Sequence, residues 1–363
     1  MKSIVNFSLV LLLLTTLAGP LPAQKLDKTP PPARSLVIAV ASTAPPEIQK
    51  AAAAVLAAVG TQPLLKAMAA GNPPTAVSDS TALAAGKPSA RAYCHLIVIG
   101  LPTDPLITAG WQREAKVSDG DFYVFGYGHF AGDIGYIESD RNPFLHSRFI
   151  PTAPYETEMV TITGSTPTGV ALAAQAFIDK GLVNGVVAAP GWKRSAPNLL
   201  QHDPLDPAFT VPDWVPAQLN DWTKIAVTQA SEDECRGVEQ DTGVHPQEIW
   251  RIKYYQDGVW DGAGAKSAML DYVNGLHRRA YGNSLWIARF GSADEAAAAA
   301  PKIAHAAQLR AQAGLYTGSE SPYGSNTPGE KRSPLALWQR NDWLLMSTLP
   351  SGVAEGNAAL KGQ

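Results

Sequence analysis

Two cysteines in 363 residues are too few for a disulfide-stapled fold or a cysteine-rich zinc module. The H-E-x-x-H signature of helical zinc proteases is absent, as are G-x-G-x-x-G and the Walker phosphate loop. No G-x-S-x-G or S-x-x-K stands at a strand-to-helix turn, so the motif-borne serine nucleophiles drop out. No basic stripe runs through the chain and the net charge is −3, which removes the electrostatic footprint of nucleic-acid binding. Beyond the first two dozen residues no stretch is long and apolar enough to cross a bilayer, so no membrane span is expected in the mature chain. The 45% of hydrophobic residues against 17% charged excludes wholesale disorder and allows a large core.

The beginning of the chain carries the strongest signal. Lys2 precedes an apolar run from Leu9 to Leu14, followed by Ala18-Gly19-Pro20-Leu21-Pro22-Ala23. A basic start, a short apolar core and a small residue before a cut describe a secretory signal peptide over residues 1–23, with export to the periplasm or the medium. In such a compartment Cys94 and Cys235 could pair; two buried free thiols are the alternative.

A Pro-rich tether, residues 24–34, leads into Ser35-Leu36-Val37-Ile38-Ala39-Val40, a strand, and the Ala-rich helix Glu47 to Val59. His95-Leu96-Ile97-Val98-Ile99-Gly100 is a second buried strand. Glu158 to Gly164 is a third, turning through Ser165-Thr166-Pro167 into a helix over Thr168 to Lys180, closed by Gly181. Short apolar strands alternating with helices predict a three-layer α/β domain with a mostly parallel sheet over residues 35–190. Residues 191–222, dense in Pro and Trp, read as an ordered crossing segment, since Trp192, Trp214 and Trp222 favour burial. Residues 223–350 show strands, a capped helix from about Ala293 to Gln312, and a hairpin at Asn341-Asp342, which predicts a small α+β, plait-like domain. Residues 351–363 form the tail.

The rhythm of His95 to Gly100, Asp104-Pro105-Leu106-Ile107, Gly135-Tyr136-Ile137, Asn142-Pro143-Phe144 and Val160 to Gly164 running into Gly169 to Ala174 resembles the exported Rossmann-like module of surface-layer proteins. It is also similar to the module in the periplasmic subunit of bacterial cellulose synthase. The resemblance implies a structural or polymer-handling front half without a cofactor. It carries over no catalytic residue.

Gly164 to Gly169 has the position of a phosphate loop but lacks its Lys-Ser/Thr, and a glycine-built turn is the simpler reading. The residue types richest in chemistry fall between 229 and 290, where aromatic rings stand beside carboxylates and arginines. Trp250, Tyr254, Trp260, His277 and Arg278 are the candidate ligand-binding set for a sugar polymer. Glu234, Asp257 and Asp261 are the candidate carboxylates if glycans are hydrolysed. The competing reading makes the rings core and the charges ion pairs. No metal centre and no cofactor is expected. The leading expectation is a non-catalytic envelope protein that binds or organises a surface polysaccharide or another envelope protein; a glycan hydrolase and a ligand-free scaffold are the alternatives.

Overall fold

A computed structural model describes residues 35–69, 72–87, 89–92, 94–110, 115–118, 121–144, 157–196, 202–256, 284–312, 336–347, 349 and 352–362. The front half begins with β1 (Leu36–Val40), helices α1 (Pro46–Ala58) and α2 (Pro63–Ala69), β2 (Ser78–Asp79), short helices α3 (Ser80–Ala85) and α4 (Ser89–Ala92), β3 (His95–Ile99) and α5 (Pro105–Ala109). Four strands follow, β4 (Ala115–Ser118), β5 (Asp121–Val124), β6 (Gly128–Ala131) and β7 (Ile134–Arg141). Then come β8 (Glu158–Gly164), α6 (Pro167–Lys180), β9 (Leu182–Ala188) and β10 (Lys193–Arg194). The back half holds β11 (Gln218–Leu219), β12 (Trp222–Gln229), α7 (Glu232–Thr242), β13 (Glu248–Gln256), β14 (Ser284–Arg289), α8 (Ala293–Gln312), β15 (Ala336–Arg340), β16 (Trp343–Ser347) and α9 (Ala358–Lys361).

The architecture is mixed α/β around one large mixed sheet, ordered β15-β16-β14-β13-β12-β9-β7-β8-β3-β1-β2. Strands β2, β1, β3 and β8 are mutually parallel. Every residue of β3 and β8 is buried, as expected of central strands covered on both faces. Strand β7 runs antiparallel between β8 and β9. The Pro- and Trp-dense segment 191–222 does not interrupt the sheet. Strand β12 joins β9 in parallel, with Val227 opposite Leu182 and Thr228 opposite Asn184, and the antiparallel strands of the back half continue from it. Pairing across so long a sequence interval leaves no local mark, which is why composition alone suggests a boundary there.

Helix α6 forms where the sequence places it. The Thr166 hydroxyl accepts from the Gly169 amide, Pro167 occupies the first turn, and Gly181 closes the helix in the left-handed region at φ 64°. The glycines of this turn serve close packing. A Cβ on Gly169 would stand 2.2 Å from the Ile134 carbonyl oxygen, and one on Gly135 would stand 2.4 Å from the Gly169 oxygen. Thr166 also donates to the Asp133 carboxylate at 2.5 Å, placing an anion at the helix mouth where a phosphate would bind. The β15–β16 hairpin turns at Asn341 with φ 51°.

Strands β10-β6-β5-β4 form a separate antiparallel sheet, in which β5 and β6 carry Phe122, Tyr123 and Phe130 and β10 joins from beyond β9. Of the crossing segment, Trp192 packs edge-on against Phe130, Trp214 against Trp343, and Trp222 opens β12. Among the described residues no single helix is long and apolar enough to cross a membrane.

Candidate functional site

Helix α7 starts after Ser231 with three acids, Glu232, Asp233 and Glu234. Glu232 and Cys235 are three residues apart and so share one helix face. That face meets His202, which follows β10 in the chain. The His202 Nε2 lies 3.0 Å from Cys235 Sγ and 3.6 Å from Glu232 Oε2. One ligand atom from each of the three side chains falls within 4.8 Å of the others. Cys235 is 0% and Glu232 5% exposed.

The surroundings hold these groups in place. Arg194 donates to the His202 carbonyl at 3.1 Å, to the Asp203 carboxylate at 2.6 Å and to the Tyr127 carbonyl at 3.0 Å, tying the His202 loop to the small sheet. The Tyr127 ring stands 6.4 Å from the His202 ring, and its hydroxyl donates to the carbonyls of Gln229 and Ala230 just ahead of α7. The β5–β6 turn closes on the helix start. Gly126, at φ +78°, has no room for a side chain, since a Cβ would stand 2.9 Å from that of Ser231.

Burial governs the ionisation of the cluster. It pushes the Cys235 thiol well above the ordinary thiol range, with the Glu232 and Glu234 carboxylates adding to the effect. Burial holds His202 below its usual value, the neighbouring His245 pushing the same way. Burial also raises Glu232, against the opposing pull of His245 and Arg236. Each group is thus biased towards its neutral form.

A thiol, an imidazole and a carboxylate are the three protein donors that zinc accepts, at about 2.0–2.3 Å each. Tetrahedral placement at those lengths sets the donors about 3.3–3.6 Å apart. The two contacts of His202, 3.0 and 3.6 Å, are close to that spacing, and the Glu232–Cys235 pair lies within 4.8 Å. With one thiolate, one carboxylate and a neutral imidazole, a divalent cation would leave the buried centre without net charge.

The residues singled out in the sequence stand elsewhere. Glu234 reaches back to the Ser231 amide at 3.3 Å and accepts from Arg251 at 2.5 Å, so it caps α7 and ties it to β13. Trp250 is 1% exposed; its indole donates to Glu248 and its ring stacks on Phe209 at 5.4 Å. Tyr254 is fully buried, with its hydroxyl donating to the Pro216 carbonyl at 2.7 Å. Asp257, Trp260, Asp261, His277 and Arg278 lie outside the described residues. The bridge that an oxidising compartment would permit is not formed, and both cysteines are free and buried. Cys94 donates to the Ala90 and Arg91 carbonyls ahead of β3, while Cys235 faces His202. Burial pushes the Cys94 thiol up to about 12.

The sequence alone does not mark His202, Glu232 and Cys235 as a set. The only local signal was the Glu-x-x-Cys spacing at a capped helix start, and nothing in the sequence ties it to a histidine 33 positions away from Cys235. No family model, curated protein or solved structure matches the chain.

Proposed function

We propose that this is an exported α/β protein whose working centre, His202–Glu232–Cys235, binds a divalent transition-metal ion, zinc foremost. The observation that carries the reading is the convergence of three zinc-type donors within 4.8 Å of one another in a largely buried place. The thiolate selects against magnesium and calcium, which take oxygen donors. The direct test loads the purified protein with cobalt(II) and follows its visible and near-ultraviolet absorption. A thiolate-to-cobalt band present in the wild type and lost in Cys235→Ala and His202→Ala supports the centre. Absence of that band from the folded wild type sinks it.

A second reading follows from the 3.0 Å contact between His202 Nε2 and Cys235 Sγ. A thiol beside an imidazole is the arrangement of a cysteine nucleophile. Rapid alkylation of Cys235 by iodoacetamide at neutral pH, lost in His202→Ala, would favour it over the metal centre.

The setting is proposed on sequence grounds: export through the 1–23 signal, a Rossmann-like three-layer front and a plait-like back. The resemblance to surface-layer and cellulose-synthase modules supports a role beside a surface polymer. With Trp250 and Tyr254 in the core, polymer contact rests on Trp260, His277 and Arg278. A glycan array without binding would remove that part of the reading and leave the metal centre standing.

A further inference from the structure

We infer that the ion at this centre keeps one coordination position for an exogenous ligand, a small anion or a water-derived oxygen donor. The inference rests on the metal-binding reading above. Its basis is the way the two oxygens of Glu232 are divided. Oε2 faces His202 Nε2 at 3.6 Å. Oε1 faces away, 3.6 Å from Arg236 Nε and 3.6 Å from His245 Nε2. With its two oxygens turned to opposite sides, Glu232 can ligate a metal through Oε2 alone and leave Oε1 on the side of Arg236 and His245. Cys235 Sγ and His202 Nε2 add one donor each.

Closed structural zinc sites use four protein ligands, whereas sites that work on a ligand use three and leave the fourth position open. His245 stands beside the cluster but its ring does not join the 4.8 Å group of donor atoms. Its Nδ1 is paired with Glu239 Oε2 at 2.9 Å, and its Nε2 addresses the far oxygen of Glu232. Among the described residues, the donors whose ligand atoms gather within 4.8 Å are His202, Glu232 and Cys235. The His245 side chain is 40% exposed and marks the solvent side of the cluster. An incoming ligand there meets Arg236 and His245. The Arg236 guanidinium, 3.7 Å from the Asp233 carboxylate, is the cationic group that an anion would meet there.

The test titrates the cobalt-loaded full chain with sodium azide and then with thiocyanate. The expected result is a saturating shift of the cobalt d–d bands while the thiolate-to-cobalt band persists. Arg236→Ala is expected to weaken azide binding several-fold and leave the thiolate band in place. Unchanged d–d bands at every azide concentration the folded protein tolerates would overturn the open position. An azide response confined to His245→Ala would do the same, by showing that His245 fills the fourth place. These outcomes differ from failure of the metal reading, in which wild type shows no thiolate-to-cobalt band at all. Circular dichroism of each variant confirms that it is folded.

Discussion

Replacing Gly169 with alanine puts a methyl carbon 2.2 Å from the Ile134 carbonyl oxygen and 2.7 Å from its carbon. Ordinary contact begins near 3.4 Å, so α6 and β7 must separate by about 1.2 Å, and both neighbours are backbone atoms that cannot swing aside. Overpacking of a tight core costs about 1–3 kcal/mol where side chains can adjust, and a backbone clash belongs at or beyond the upper end. Gly237 supplies the control. It lies within α7 with nothing inside 4 Å of its would-be Cβ. Alanine there is expected to stabilise by about 0.5–1 kcal/mol, because glycine loses more chain entropy in a helix. At roughly 2 °C per kcal/mol for a chain of this size, Gly169→Ala should lower Tm by about 6 °C or more and Gly237→Ala raise it by about 1–2 °C. Thermal melts followed by tryptophan fluorescence measure both. A Gly169→Ala protein as stable as wild type would refute the packing account of the Gly164–Gly169 turn and return a phosphate-binding role to consideration.

Glu232→Gln is expected to abolish cobalt binding without lowering the stability of the metal-free protein, since burial disfavours the charged carboxylate there; a large loss of Tm would show that Glu232 is a structural ion-pair partner instead. Ellman's reagent should find no accessible thiol in the native chain and two after denaturation without reductant, and none in either state would establish a bridge. Lys224 is held below its ordinary 10.5 by burial, so its unfolded form binds more protons and its charge costs stability at neutral pH. Lys224→Met should therefore be more stable than wild type at pH 7, with the gain shrinking as pH rises towards 10.5; a gain that stays constant in urea melts across that range would contradict this origin.

The parts legible in the sequence are those with local causes. The apolar runs of β1, β3 and β8 needed no partner to be recognised. Helix α6 announced itself through Thr166, Pro167 and Gly181, and the last hairpin through Asn341-Asp342. Strand β13 held a readable signal that the aromatic content obscured. Trp250, Ile252 and Tyr254 alternate along it and are all buried, while Arg251 between them reaches α7. Read by that period of two, Trp250 and Tyr254 belong with the core. The β9–β12 junction and the meeting of His202 with Cys235 have no such mark, because both depend on segments far apart in the chain.

The charges around Cys235 separate the two chemical readings of its contact with His202. A cysteine in the first turn of a helix ordinarily gains acidity from the helix dipole, and catalytic thiols exploit this. In α7 that field meets Glu232, Asp233 and Glu234, which occupy the same turn. Glu232 and Glu234 push the Cys235 thiol up, outweighing the opposing Arg251. An imidazole lowered by burial is likewise a poor partner for a thiolate–imidazolium pair. A nucleophile needs positive charge at this point, and the protein has placed carboxylates there. A divalent cation reverses the balance, because the thiolate and the Glu232 carboxylate that resist each other in the metal-free chain both become attractive ligands. Binding the ion releases the thiol proton, so metal affinity at this site is expected to rise with pH. Replacing Glu234 with glutamine should make Cys235 easier to alkylate in the metal-free protein while leaving the donor set, and the thiolate-to-cobalt band, intact.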